Sequence, residues 1–190
     1  MHTTIRFFSL LLIATVASLA NAELAEHHDA HKHGTGKLDI VIEKSIIQIN
    51  LESPADDIVG FEHKPKNKKQ REAISKSVAT LKNGNVLFIF NPEAGCKLQS
   101  ADIESALISS EHAHNDGKHK HDKAAHANEE SHADFDASYT FSCQNISRLK
   151  ILNVNLFKDF PNLETLNVQL INQDRQSAAV ISKKKSTITF

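Results

Sequence analysis

The sequence predicts an α+β fold built from two similar β-β-α-β-like units packed together and joined by a mobile histidine-rich loop. Three observations carry that reading. Apolar residues alternate with polar ones at Leu38, Ile40 and Ile42, and again at Ile47, Ile49 and Leu51, the two-residue period of strands. The same alternation returns at Phe135, Ala137, Tyr139, Phe141 and Cys143. Residues 46–51 with their Pro54 turn are similar to residues 151–156 followed by 157–161. Each copy comes after an alternating strand, 38–42 in one case and 139–143 in the other, which is the pattern of an internal repeat.

Taken in order, residues 1–22 have the layout of a secretory signal peptide. Arg6 precedes an apolar run over 7–20, and Ala20-Asn21-Ala22 is a small-x-small cleavage site. The run is shorter than the about 20 residues a bilayer span needs, so export with cleavage is expected, leaving no membrane anchor. Cleavage removes one charged residue, Arg6, and takes the net charge from -1 to -2. Residues 23–34 form a histidine-rich mature N-terminus with His27, His28, His31 and His33.

The first α/β unit spans 35–109. Its first two strands meet at a tight turn at Lys44-Ser45. Ser53 is placed as the cap, and Pro54 as the first residue, of a short helical turn through Asp56, Asp57 and Ile58 that Gly60 ends. Phe61-Glu62-His63-Lys64-Pro65 follows as a loop with a carboxylate beside an imidazole. Residues 66–81 show helical spacing, with Ala73, Ile74, Val78 and Leu81 on one face and Lys66, Lys68, Lys69, Arg71 and Lys76 on the other. The local basic run is thus a solvated helix face. Asn83-Gly84-Asn85 stops the helix, residues 86–90 read as an apolar strand, and Cys96 leads into another with Leu98, Ile103 and Leu107 facing inward.

Residues 110–133 read as a disordered loop; the stretch 111–134 carries six histidines in 24 residues, interleaved with Asp, Glu and Lys, and nothing that packs. The second α/β unit spans 134–190. Beyond its first strand, Leu152, Val154 and Leu156 predict a strand, 158–162 a turn or short helix, and Leu166, Val168 and Leu170 a further strand. Residues 176–181 read as a short helical turn and 188–190 as a closing strand.

Composition narrows the function. Near-neutral charge without a basic stripe excludes a nucleic-acid footprint. With no Trp and one Tyr, an aromatic-lined sugar or nucleobase site is not supported, and the ten Phe read as core. Cys96 and Cys143 are the only cysteines, and an oxidising compartment favours their disulfide over free thiols or a thiolate metal site. That bond would close 46 intervening residues, a clasp at the base of the histidine-rich loop.

Imidazole is a ready zinc ligand, and His112/His114 and His119/His121 place two rings on one side of an extended segment. His112, His114, His119, His121 and His126, with His27, His28 and His31 upstream, therefore read as weak metal ligands. A tight site needs donors fixed by a scaffold, which singles out residues at the edges of folded segments: His33, Glu62, His63 and His132. Copper(II) and nickel also bind imidazole, so chemistry alone leaves the metal open.

The stretches H-G-x-x-x-L from His33, S-P-A-D-D-I-V-G-F-E-H-K-P from Ser53, A-G-C-K-L from Ala94 and H-A-D-F-D-A-S-Y-T-F-S-C from His132 resemble the ZrgA-type periplasmic zinc-binding proteins of Gram-negative bacteria. The resemblance spans nearly the whole mature chain. It implies a pair of related α/β units, a mobile histidine-rich insertion, and a periplasmic role in zinc trafficking that supports uptake, with zinc as the bound ion and a zinc uptake transporter system as partner. By match to the motifs it implies His33, Glu62, His63 and His132 as zinc ligands. Lys32 departs from the family pattern, in which an acidic residue usually precedes the histidine. The chain reads as a non-enzyme, since H-E-x-x-H and G-x-S-x-G are absent. A zinc-dependent hydrolase and a pH-sensing partner-binding module are the alternatives.

Overall fold

The computed structural model describes residues 32–108 and 133–190. Residues 1–22, read above as a signal peptide, and His27, His28, His31, His112, His114, His119, His121, His126 and His132 lie outside the described residues. Strands dominate, with a few short helices, so the fold is α+β. Among the described residues no helix is long and apolar enough to cross a membrane.

Strands β1 (Thr35–Glu43) and β2 (Ile46–Pro54) form the predicted hairpin, in register Leu38↔Leu51, Ile40↔Ile49 and Ile42↔Ile47. Lys44, at φ 53°, makes the turn. β2 also pairs antiparallel with β5 (Asp134–Cys143), and β5 with β4 (Cys96–Glu104). On the other side β1 runs parallel to β7 (Thr165–Ile171), which pairs with β8 (Gln176–Ser182). The result is a six-stranded sheet in the order β4-β5-β2-β1-β7-β8. A smaller sheet in the order β3-β6-β9 joins Phe88–Phe90, Ile151–Val154 and Thr187–Thr189.

Strands of both predicted units share the large sheet. β5 lies between β4 and β2, while β2 and its sequence counterpart β6 stand in different sheets.

Period-two patterning decides which face of the large sheet is buried. Leu38, Ile40, Ile47, Ile49, Leu51, Phe135, Tyr139, Phe141, Leu166 and Val168 are buried, while Asp39, Gln48, Asn50, Ser138 and Asn167 face water. Phe88 from the small sheet packs edge-on against Tyr139 with ring centroids 4.9 Å apart, and Phe90 does the same to Phe141 at 5.0 Å. Helix α2 (Lys68–Leu81) buries Ile74 and Leu81 in the same core. The Tyr139 hydroxyl donates to the Leu81 carbonyl at 2.9 Å, and burial pushes its pKa above the usual phenol value, so it stays a donor. Gly84 is required where it stands, because an added Cβ would lie 2.9 Å from the Tyr139 ring.

Several boundaries differ from those predicted. Ser53 does not cap a helix: β2 continues through Ser53↔Phe135 and Pro54↔Asp134, so the cap of α1 (Ala55–Val59) is Pro54. Gly60 closes α1 in the left-handed region as expected. α2 begins at Lys68 because Asn67 accepts the Gln70 N–H while the Gln70 side chain accepts the Lys66 N–H, a reciprocal cap. Residues 84–87 form helix α3 (Gly84–Leu87), which leaves only Phe88–Phe90 as strand. Leu156 belongs to helix α4 (Leu156–Asp159). The predicted helical turn at 176–181 is instead β8, which folds back on β7 as a hairpin from Ile171↔Gln176 to Thr165↔Ser182, a partner strand overriding weak local propensity.

The disulfide Cys96–Cys143 is present. Its place corrects the clasp reading: Cys96↔Cys143 is the pair of the β4–β5 ladder farthest from the histidine-rich segment, and Glu104↔Asp136 closes the near end. With a sequence separation of 47 residues, the crosslink restricts the unfolded chain by on the order of 4 kcal/mol. Urea unfolding with and without reductant should show a loss of that size, and equal midpoints would contradict the entropy argument.

Candidate metal centre

The candidate centre is built where the N-terminal end of β1 meets α1. The chain enters β1 through a turn in which the Thr35 N–H donates to the Lys32 carbonyl at 3.1 Å. Gly34, at φ 78°, is held on both sides. Its N–H donates to Asp57 Oδ1 at 2.7 Å, and its carbonyl accepts the N–H groups of Glu164 and Thr165, each at 2.9 Å. An added Cβ would be strained by that φ and would lie 3.2 Å from Glu164 Cγ.

α1 is fixed just as firmly, by three separate segments. The Ala55 N–H donates to the Ala133 carbonyl at 2.8 Å, Asn162 Nδ2 donates to the Asp56 carbonyl at 3.0 Å, and Ser77 Oγ of α2 donates to the Ile58 carbonyl at 3.1 Å.

His33 thus stands beside α1 with its ring between two carboxylates. Nδ1 lies 3.3 Å from Asp56 Oδ2, and Nε2 lies 3.3 Å from Glu62 Oε1. The side chains become more enclosed from His33 (58% exposed) through Asp56 (32%) to Glu62 (13%). Glu62 arrives by the loop after the Gly60 cap. His63 follows it, its ring stacked on Phe61 with centroids 5.3 Å apart and Nδ1 2.9 Å from the Lys64 carbonyl. A carbonyl only accepts, so Nδ1 of His63 carries the proton and the neutral ring keeps a lone pair on Nε2.

Of the four scaffold candidates, then, the fold brings His33 and Glu62 together and sets His63 one residue beyond Glu62 in an exposed loop. His132 lies outside the described residues, immediately before Ala133. Among the described residues no group of three or more His, Cys, Asp or Glu side chains is placed to hold a metal ion. Sequence reasoning passed over Asp56 and Asp57, which it used only to define a helical turn. No local signal separates them, because both lie between apolar Ala55 and Ile58.

Asp57 is 2% exposed. Burial raises its pKa above the ordinary 3.8, and the negative charge of Asp56 adds to the rise. The Gly34 N–H, the His33 ring and the Ser53 hydroxyl oppose it.

The model of the ZrgA family, described as zinc uptake protein, matches residues 30–190. The chain belongs to the ZrgA family. No curated protein matches it. The family match covers both described segments, including the Gly34 lock, α1 and the Glu62 loop. Membership connects this ZrgA chain with zinc uptake, and that in turn identifies the ion against which the His33 corner has to be tested.

Asp57 sets a pH dependence for the metal-free protein. A carboxyl with a raised folded-state pKa contributes stability that is fully present below its unfolded value and is lost as pH rises through the folded value. Asp57→Asn keeps an acceptor for Gly34 and removes the charge. Urea midpoints in chelator should coincide for the two proteins near about pH 3 and favour the variant increasingly toward about pH 7. An advantage for the variant that is independent of pH would refute the buried-charge account.

Proposed function

We propose that this ZrgA protein works in the periplasm as a non-catalytic zinc-binding protein, with scaffold-held ligands for tight binding and the histidine-rich segment as a weak capture arm that feeds a zinc uptake transporter system. The observation that carries the reading is the 3.3 Å between His33 Nε2 and Glu62 Oε1. A tetrahedral zinc ion bound at about 2.0–2.1 Å by nitrogen and about 2.0–2.2 Å by oxygen holds its donors about 3.3–3.5 Å apart. The pair has that span. Glu62 neutralises one charge of the cation and His33 supplies a borderline nitrogen donor, a combination suited to zinc.

His63 and His132 complete the proposed ligand set. In favour of His63, its Nδ1 is tied to a carbonyl, which leaves Nε2 as the coordinating atom. In favour of His132, it is joined by one peptide bond to Ala133, whose carbonyl accepts the first N–H of α1. The weaker ligands proposed are His112, His114, His119, His121 and His126 in the loop, and His27, His28 and His31 near the mature N-terminus. Exchange among many such imidazoles gives a high capture rate without tight retention. The signal-peptide layout of residues 1–22 supports the periplasmic location.

Titration calorimetry of residues 23–190 should resolve at least two affinity classes for zinc at about pH 7.5, both weakening as pH falls through about 6 because imidazole must lose its proton to bind. His33→Ala and Glu62→Gln should each weaken the tight class and spare the weak one. Replacing residues 110–131 with a short linker should do the reverse. Absence of zinc binding, or loss of the tight class on loop replacement alone, would overturn the proposal.

A further inference from the structure

The arrangement of α1 assigns a role to a residue outside the proposed ligand set, and the assignment rests on the zinc reading above. We infer that Asp56 is a positioning residue: its carboxylate accepts the Nδ1 proton of His33, which fixes the ring's tautomer and turns Nε2 toward Glu62.

The His33 ring has a carboxylate at each nitrogen at the same 3.3 Å, so distance alone does not say which edge receives the ion. The fold breaks the tie. Asp56 and His33 are held by one rigid assembly. Asp57, the residue next to Asp56, bonds the residue next to His33 at 2.7 Å, and three other segments pin α1 through its main chain and leave the Asp56 carboxylate uninvolved. An acceptor whose place relative to the ring is fixed on both sides suits orientation of that ring. Glu62 lies past the Gly60 cap, in the loop that also carries His63. Glu62, a proposed ligand, therefore meets the ring at Nε2.

Chemistry requires the same division. A neutral imidazole has one proton, and for Nε2 to coordinate, the proton must sit on Nδ1. A free neutral histidine side chain favours the opposite tautomer, and a carboxylate acceptor at Nδ1 reverses the preference and raises the basicity of the ligating nitrogen. Two neighbouring residues of α1 thus divide the work. Asp57 turns inward and places the backbone of His33, and Asp56 turns outward and sets its ring.

The test has two parts. Zinc affinity, measured by competition with a chelating dye, should fall about 10–100-fold in Asp56→Ala and less in Asp56→Asn, whose amide oxygen still accepts the Nδ1 proton. In a His33→Ala background Asp56→Ala should add nothing to the loss; a further drop would show that Asp56 ligates directly, and overturn the assignment. The second part needs no metal. Ring 15N shifts of His33 in metal-free Glu62→Ala protein at about pH 8 should report the Nδ1–H tautomer, and adding Asp56→Ala should move them to the Nε2–H form. Unchanged shifts overturn the inference even if zinc binding is lost. If His33→Ala leaves the tight class intact, the ligand assignment fails instead, and the tautomer experiment still judges Asp56.

Discussion

A buried hydrogen bond from a backbone N–H to a carboxylate holds the candidate centre together. Asp57 is almost wholly removed from water, and a carboxylate in that position is tolerated only where donors receive it. The donor is Gly34, in a conformation that other residues resist, and its carbonyl in turn closes onto Glu164 and Thr165. One glycine therefore joins the entry of β1, helix α1 and the start of β7. The cost of burying Asp57 is the cost of keeping His33 in place, and the surrounding sheet, with its continuous apolar face, supplies the stability that offsets it.

The reading assigns distinct tasks to the two kinds of histidine. A donor on a scaffold has its entropy already spent by folding, so it can bind tightly with few partners. Donors in a segment of low hydrophobicity bind weakly, and their number raises the encounter frequency. Where the described chain leaves the large sheet toward the histidine-rich segment, Glu104 and Asp136 stand opposite each other. Two like charges across a ladder are unfavourable to each other and favourable to a passing cation. The disulfide, at the other end of the same ladder, strengthens the hairpin without constraining this mouth.

Much of the sheet was legible because half-buried strands alternate. The β1–β2 hairpin, β5 and β7 follow from Leu38 to Leu51, Phe135 to Cys143 and Leu166 to Leu170 by period alone. β8 was not legible: Gln176 to Ser182 shows no alternation of apolar and polar residues, and it becomes a strand because β7 offers it an edge. The order β5-β2-β1-β7 was equally hidden, since pairing partners far apart in sequence leave no local mark. At the centre, histidine chemistry drew attention to His33, Glu62 and His63, whereas Asp56 and Asp57 looked like ordinary helix-start acids. Their roles depend on which way a five-residue helix faces, and that is decided by Ala133, Asn162 and Ser77, residues that no pattern around position 56 could reveal.

The bond between Gly34 and Thr165 spans 131 positions of the chain. Closing a loop of that length costs chain entropy that a local contact does not. A nascent chain therefore exposes His33 well before the strand that completes its surroundings exists. During that interval its imidazole is no different from those of the histidine-rich stretches. The geometry around His33 is therefore complete only once β1 and β7 have paired, and it reports on the long-range order of the large sheet.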